Sequence, residues 1–322
     1  MTRRSAVLML LCAALFWGSG NVANKTVLDH IGPFSALGYH CALGILVIAP
    51  FLRFDGLVRG EPGWLRSAIG VSGLFATAML FQQIAYRFTS VTNVSFLVNT
   101  DSVMTPVLAW VAFRQRPSRR VALAGCITLG GAFLMSGGAT SLARFNPGDL
   151  ASLASAIFYA GWMVALGRHA TTHGRAVATT IVQFAVTAVV AGMLAVAVEA
   201  PTLTAAVSAW REVVFLAVFS TAGAFVLVTL AQAHLPASVA GVLVSAESVF
   251  GAAGGYLLLN EVASPGAAAG AALILLSIAI VAFDSSPGPG LDRPDPPAAA
   301  LRSRSGSSLL GSVDPHETRA FR

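Results

Sequence analysis

Charged and reactive side chains are scarce in this chain, and each scarcity excludes a class of site. Only 11% of the residues are charged, and Lys25 is the single lysine. A phosphate-binding loop needs a lysine directly after a glycine, whereas Lys25 follows Asn24, so that motif is absent. The three cysteines, Cys12, Cys41 and Cys126, are too far apart for a paired zinc or disulfide framework. No histidine stands in metal-ligand spacing with carboxylates, and we expect neither a metal nor another cofactor.

Long apolar stretches are abundant instead. Hydrophobic residues make up 56% of the chain and the mean hydropathy is +0.75, which is more apolar surface than a soluble domain could cover. A helix needs about 20 residues to cross a hydrocarbon core of about 30 Å. Ten stretches approach that length, at approximately 5–24, 33–52, 67–86, 92–113, 121–139, 149–167, 177–198, 212–233, 238–259 and 265–283. Because alternation at period two is absent, we predict an all-α polytopic membrane protein with ten transmembrane helices.

The basic residues are distributed unevenly between the predicted loops. If the N-terminus is inside, sixteen arginines lie on the cytoplasmic side, and the opposite side holds only Lys25, Arg87, Arg144 and Arg211. Lys and Arg near the ends of spans are retained on the cytoplasmic side. We therefore predict that both termini are cytoplasmic and that the protein lies in the cell inner (plasma) membrane. The net charge of +6 is then a topology signal, and nucleic acid is not an expected partner.

A short phrase occurs twice, 146 residues apart. Leu97–Val103 reads LVNTDSV and Leu243–Val249 reads LVSAESV, and each places one carboxylate inside an apolar stretch. Five spans per half is an odd number, so the two halves should enter the membrane from opposite sides, as inverted repeats do. We predict a first five-span repeat at 1–139, a second at 140–284, and a disordered cytoplasmic tail at 285–322, which is rich in Pro, Gly, Ser and Arg.

Several segments resemble one known family. The first span contains Phe16–Lys25 (FWGSGNVANK), and Tyr86–Asn93 (YRFTSVTN) lies between the third and fourth spans. In the second half, Leu235–Ala240 leads into Glu247–Glu261, which is similar to the ninth helix of that family. In this order and in both halves, the segments resemble the drug/metabolite transporter superfamily, in its ten-span form with two EamA repeats. Such proteins often carry an arginine where this chain has His40.

The resemblance implies a secondary carrier that works by alternating access. We expect it to export small metabolites, amino-acid-like compounds or drugs, with protons as the candidate coupling ion and no cofactor. Its partners are then a small-molecule substrate and the lipid bilayer, and it is a monomer or a homodimer. Two other classes stay open: a membrane-embedded enzyme that uses Asp101, Glu247 and His40 on a lipid-linked substrate, and a non-transporting receptor or scaffold.

Polar residues at helical spacing are candidates for a substrate-binding or transport site. In the first span, Trp17, Asn21 and Lys25 recur every four residues and share one face. Lys25 could contact a carboxylate of the substrate, or it could extend to the outer interface. Gln83 in the third span and Trp162 in the sixth are further candidates. For these two, the alternatives are hydrogen bonding between helices and core packing.

Asp101 and Glu247 provide the sharpest argument. Each lies about nine residues into its span, which corresponds to a depth of about 13 Å. An unpaired charge at that depth is unfavourable unless it meets water, a partner or a proton. Each acid could therefore carry a proton or pair with a cationic amine of the substrate. The structural alternative is a protonated acid bonded across helices, or an ion pair with Lys25 or His40.

Overall fold

The chain forms helices at the places where the apolar stretches predict them. The computed structural model describes residues 2–55, 62–89, 91–114, 118–138, 146–258 and 264–282, and all regular structure in these ranges is helical. The first half contains α1 Arg3–Val27, α2 Pro33–Ile48, a 3₁₀ turn Ala49–Asp55, α3 Trp64–Phe88, α4 Val91–Val98, α5 Asp101–Phe113 and α6 Arg119–Met135. The second half contains α7 Pro147–His173, α8 Ala176–Val198, α9 Leu203–Ser208, α10 Trp210–Phe215, a π-helical segment Leu216–Gly223, α11 Ala224–Gln232, α12 Ala237–Val244, α13 Ala246–Leu258 and α14 Pro265–Ala282. The predicted all-α fold is confirmed.

The predicted spans coincide with these helices. Within the described ranges, nine helical stretches are long and apolar enough to cross a membrane. The remaining predicted span, 121–139, corresponds to α6, which has 17 residues. At 1.5 Å per residue, α6 covers about 25 Å, slightly less than a typical hydrocarbon core. The predicted tail at 285–322 lies outside the described residues.

Local sequence signals fix where several helices begin. The side chain of Asn146 accepts hydrogen bonds from the backbone N–H groups of Gly148 and Asp149, and the Asp149 carboxylate accepts one from the Asn146 backbone. This capping box satisfies N–H groups that the first turn of α7 leaves free. Ser118 caps α6 in the same way by accepting from the Val121 backbone. Proline is the first residue of α2, α7 and α14. At this position a backbone N–H group would have no partner within the helix, so its absence in proline costs no hydrogen bond.

The polarity of the molecule is that of a membrane protein. Large apolar side chains point outward, and Leu8, Val111 and Val196 are 62%, 72% and 73% exposed. Amide side chains such as those of Gln183 and Gln232 are buried among the helices. Contact with lipid on the outside and hydrogen bonding between helices on the inside account for this arrangement.

The helices repeat at the spacing found in the sequence. α4 and α12 each have eight residues and begin 146 residues apart, at Val91 and Ala237. The packing repeats as well. The third span of each repeat packs on the first span of the other, as α3 does on α7 and as α10 and α11 do on α1. The second spans, α2 and α8, pair with each other, and so do the fifth spans, α6 and α14. The fold of two five-span repeats is therefore confirmed. The exact domain boundaries at 139 and 284 stay predictions.

Both copies of the repeated phrase interrupt a helix. At the break between α4 and α5, the Thr100 hydroxyl donates to a backbone carbonyl three residues back at 2.6 Å. At the break between α12 and α13, the Ser245 hydroxyl makes the same bond at 2.6 Å. Such local bonds compete with regular helical hydrogen bonds. As a result, Asp101 and Glu247 each lie in the first turn of a half-helix, where the helix dipole favours negative charge.

An aromatic cluster lies between α3, α7, α8 and α11. The Phe225 ring is 4.8 Å from the Phe75 ring and 5.7 Å from the rings of both Trp162 and Phe184, measured between centroids. Three of these pairs are edge-to-face, the arrangement that ring quadrupoles favour. The cluster packs these four helices against one another.

Candidate functional site

A small chamber lies where the broken helices meet α1, α2, α3 and α7. Its volume is about 80 Å³, and its lining includes both carboxylates of the repeated phrase, Asp101 and Glu247. α1 contributes Trp17, Asn21 and Asn24 to the wall. The two halves of the chain thus bring their sequence-related acids to one cavity.

A larger vestibule adjoins this chamber. Its volume is about 1040 Å³, and it is lined by residues near the C-terminal ends of α1, α3 and α6 and the N-terminal ends of α2 and α14. Lys25, His30 and Arg87 contribute to its lining. Asn21 lines both cavities and therefore lies at their border. These helix ends are opposite to the end of α1 at which Arg3 donates hydrogen bonds to carbonyls at the C-terminus of α14.

Glu247 begins a chain of hydrogen bonds that crosses four spans. The Asn21 amide donates to Glu247 Oε1 at 2.9 Å, and the Tyr86 hydroxyl donates to Asn21 Oδ1 at 3.3 Å. The Gln82 amide contacts the Tyr86 oxygen at 3.4 Å, and Tyr159 donates to Gln82 Oε1 at 2.7 Å. These hydrogen bonds couple the protonation state of Glu247 directly to α1 and, through Tyr86 and Gln82, to α3 and α7.

Asp101 has a different environment from its counterpart. Its side chain is 9% exposed, and within the described residues no side chain donates a hydrogen bond to its carboxylate. Next to it, Asn99 donates to the hydroxyl of Ser248, one residue beyond Glu247. This bond ties the break of one repeat to the half-helix of the other, and it keeps the two acids at the same cavity.

The tryptophan rings of the chamber are held by bonds to their indole N–H groups. Trp17 donates to the carbonyl of Ser220 at 2.9 Å, and Trp162 donates to Gln183 Oε1 at 2.6 Å. Ser220 belongs to the π-helical segment, a rare conformation that is frequent at functional sites because it re-aims backbone and side chains. The ring of Phe225 lies 4.9 Å from the Trp17 ring, so an aromatic wall faces the acids.

Two polar atoms of the chamber wall are unpaired within the described residues. Nδ1 of His40 lies 2.8 Å from the Thr221 hydroxyl, but its Nε2 has no hydrogen-bond partner. Oδ1 of Asn24 is likewise buried without a partner. Both side chains line the chamber. Buried polar atoms are rarely left unpaired unless water or a ligand satisfies them.

The structure brings most of the sequence candidates together. Trp17, Asn21, Asp101, Trp162 and Glu247 line the chamber. Lys25 lines the vestibule beyond Asn21 and not the chamber, and its role stays a prediction.

Gln83 is placed differently from the prediction. Gln82 lines the chamber, whereas Gln83 is buried and lines neither cavity. Its Oε1 has no hydrogen-bond partner among the described residues. The physical reason is helical spacing: Gln82 and Tyr86 are four residues apart and share the face that points to the chamber, and the next residue is turned about 100° away.

Several chamber residues were not predicted from the sequence. Asn99 lies inside the repeated phrase, so that phrase was the signal that could have identified it. Ser220 and Thr221 enter the chamber through the π-helical segment, for which the sequence has no recognisable pattern. In the described part of the chain, no group of three His, Cys, Asp or Glu side chains is arranged to hold a metal ion.

Comparison with known proteins places the chain in a family. The family model described as "EamA-like transporter family" matches residues 4–137 and 146–283. An uncharacterized transporter from Archaeoglobus fulgidus is 25% identical over 281 residues, which is 87% of each chain. A solved crystal structure, described only as that of a protein, superposes with a TM-score of 0.71 over 87% of this chain and 98% of the other. At 22% identity, this last likeness shows the fold alone. Because the family model matches both halves, the chain belongs to the EamA-like transporter family and is a multi-pass membrane transporter.

Proposed function

We propose that the protein is a secondary carrier that exports small organic solutes from the cell by alternating access, with the chamber as its transport site. The observation that carries this proposal is the meeting of Asp101 and Glu247, each at the start of a half-helix, in a cavity that borders a wide vestibule. Discontinuous helices at the interface of two repeats are the usual place for a transported substrate. Trp17, Asn21 and Trp162 complete the proposed site, and Lys25 is the proposed contact at its entrance.

The proposed orientation places both termini in the cytoplasm of a cell whose plasma membrane holds the carrier. The excess of arginine on that side supports it. The vestibule then opens to the outside, because it is lined by the helix ends opposite to Arg3. In this orientation the described conformation is open outward.

In an outward-open conformation the inner side is closed. Contacts between helix ends on the proposed cytoplasmic side support this state. The Arg168 guanidinium of α7 lies 4.7 Å from the centroid of the Phe113 ring at the end of α5. The Arg175 guanidinium before α8 lies 4.4 Å from the Trp64 ring at the start of α3. Cation–π contacts of this kind contribute about 0.5–2 kcal/mol each.

We propose proton exchange as the driving force. A carboxylate in the chamber can hold a proton or interact with a solute, and competition between the two makes their movements opposite. When the outside is more acidic than the cytoplasm, protons enter and the solute leaves. The chain of bonds from Glu247 through Asn21 and Tyr86 would report the protonation of Glu247 to the neighbouring helices.

Transport in proteoliposomes tests this function. The purified full-length protein is reconstituted, and uptake of labelled amino acids, amines, sugars and amphipathic drugs is measured with and without an imposed pH gradient. We expect saturable uptake of at least one compound, accelerated when the vesicle interior is acidic and reduced when a protonophore collapses the gradient. Saturable flux that ignores the gradient would contradict proton exchange, and the absence of saturable flux for every compound would contradict the carrier function for these solute classes.

A further inference from the structure

We propose that the chamber recognises the ammonium head of a primary amine that carries no neighbouring carboxylate. This substrate class rests on the proposed carrier function and makes it more specific. Three independent features of the chamber wall support it: its charge, its unpaired acceptor atoms and its aromatic rings.

The charge of the chamber favours a cation. Its described lining contains two carboxylates, Asp101 and Glu247, and neither lysine nor arginine. The basic residues Lys25 and Arg87 line the vestibule instead. Two carboxylates in one poorly hydrated cavity repel each other, and this repulsion is stronger than it would be in water. A bound ammonium offsets this repulsion because it attracts both carboxylates.

The unpaired acceptor atoms favour an ammonium that carries N–H groups. Asn24 Oδ1 and His40 Nε2 are buried in the chamber wall without partners within the described residues, and His40 is only 3% exposed. When the Nδ1–H group of His40 donates to Thr221, its Nε2 is an acceptor. A primary ammonium offers three N–H donors, enough to serve these atoms and a carboxylate together. A quaternary ammonium offers none and would leave both acceptors unsatisfied.

The aromatic rings favour the same head group. Trp17, Tyr159, Trp162 and Phe225 line the chamber. The indole N–H groups of both tryptophans are already bonded to other protein groups. The rings therefore contribute mainly through their apolar and π surfaces, which attract a desolvated cation.

The dimensions of the two cavities divide the substrate into a head and a body. A volume of about 80 Å³ suits an ammonium group and the first carbons attached to it, while the vestibule of about 1040 Å³ leaves the rest of the molecule unrestricted. In an α-amino acid the carboxylate is two bonds from the amine and would enter the chamber with it. There it would meet Asp101 and Glu247 without a described lysine or arginine to compensate.

Binding to the purified full-length protein in detergent tests the inference without requiring transport. Isothermal titration calorimetry at neutral pH compares 2-phenylethylamine with its N,N,N-trimethyl derivative, with 2-phenylethanol and with phenylalanine. We expect 2-phenylethylamine to bind about tenfold more tightly than each of the other three. Equal or tighter binding of the trimethyl compound would overturn the role of the N–H donors. Equal or tighter binding of the alcohol would overturn the recognition of charge. Equal or tighter binding of phenylalanine would overturn the exclusion of a carboxylate.

Variants assign this preference to particular atoms. Asn24→Leu removes one acceptor, and we expect it to abolish most of the preference for 2-phenylethylamine over the trimethyl compound while the affinity for the latter stays within about twofold. Asn24→Asp retains an acceptor and should keep the preference. The matched control is Ser19→Ala on the same helix, because the Ser19 hydroxyl bonds only within α1. An unchanged preference in Asn24→Leu, with a melting temperature near that of the wild type, would contradict the assignment.

The two proposals fail in different ways. If 2-phenylethylamine binds as expected but no compound is transported by proteoliposomes, the amine site stands and the carrier function fails. If other compounds are transported under a pH gradient while 2-phenylethylamine neither binds nor competes with them, the carrier function stands and the amine site is overturned.

Discussion

The two buried acids occupy equivalent positions in the repeats but have different neighbours. Glu247 accepts a hydrogen bond from Asn21 at 2.9 Å. Within the described residues no side chain donates a hydrogen bond to the Asp101 carboxylate, although Asn99 beside it bonds to Ser248. The equivalent acids of the two repeats therefore have unequal surroundings, which allows them to take different roles.

The two adjacent glutamines of α3 provide a matched test at this scale. Gln82→Leu removes the bonds to Tyr159 and Tyr86, and a net contribution of about 1 kcal/mol for each bond predicts a fall in transport rate of about tenfold or more. Gln83→Leu removes a buried amide whose oxygen has no partner in the described part of the chain, so transport should stay within about twofold of the wild type. Initial uptake rates, normalised to reconstituted protein, measure both. A larger loss in Gln83→Leu than in Gln82→Leu would mean that the transport path follows the other face of α3.

The helices and their repetition were largely predictable from the sequence, whereas the interruptions were not. Apolar length gave the spans, and the repeated phrase gave the offset of 146 residues at which whole helices recur. The two breaks coincide with bonds from the Thr100 and Ser245 hydroxyls to local carbonyls, which compete with helical hydrogen bonds and leave no periodic signal in the sequence. The π-helical segment is harder still, because its conformation is selected by packing against α1 and α2.

Glycines allow close packing of the helices at two crossings. A Cβ atom on Gly18 would lie 2.6 Å from the Glu247 carbonyl oxygen and 2.7 Å from the Gly251 nitrogen on α13. At the other crossing, a Cβ on Gly131 would lie 2.7 Å from the Gly270 carbonyl oxygen on α14. The first crossing holds α1 against the half-helix of Glu247, so its spacing fixes the bond between Asn21 and that acid.

Alanine substitution tests this close approach. In Gly18→Ala the added methyl group meets backbone atoms that cannot move independently, and overpacking of about 1–3 kcal/mol should lower the melting temperature by about 5 °C and impair uptake. The control is Gly70→Ala on α3, where a Cβ atom would meet nothing within 4 Å. There the substitution should leave stability unchanged or raise it by about 0.5–1 kcal/mol, since alanine favours helix. Equal melting temperatures for the two variants would contradict the tight crossing.

At the scale of the whole molecule, composition predicted the class of protein and loop charges predicted its orientation. What could not be predicted is which residues share a cavity, because that depends on the rotation of each helix about its axis. Gln83 illustrates this limit, since a difference of one residue in a helix changes the direction of a side chain by about 100°. Five of the seven predicted site residues nevertheless line one chamber. Four of them, the two acids together with Trp17 and Asn21, were selected by their depth in a span or by their shared face on α1.

The proposed orientation predicts which surfaces a membrane-impermeant thiol reagent can reach. In a background in which Cys12, Cys41 and Cys126 are replaced, His30→Cys in the vestibule should be labelled in intact cells. Thr172→Cys lies near the C-terminal end of α7, on the proposed cytoplasmic side, and should be labelled only after the membrane is permeabilised. Both positions are exposed in the structure, so accessibility differs only through the membrane. Labelling of Thr172→Cys in intact cells, with His30→Cys protected, would reverse the topology and place the vestibule in the cytoplasm.

The central claim is that the two carboxylates of the chamber form the transport site, and neutralising each of them tests it most directly. Glu247→Gln and Asp101→Asn preserve shape and remove charge, while Glu212→Gln makes the same change at a residue that lines neither cavity. Uptake driven by a pH gradient is measured for the three variants and the wild type at equal levels of folded protein. We predict that both chamber variants lose at least about tenfold in rate, equivalent to about 1.4 kcal/mol, while Glu212→Gln keeps the wild-type rate. Wild-type rates in both Glu247→Gln and Asp101→Asn would contradict the account and reduce the acids to a structural contact between the repeats.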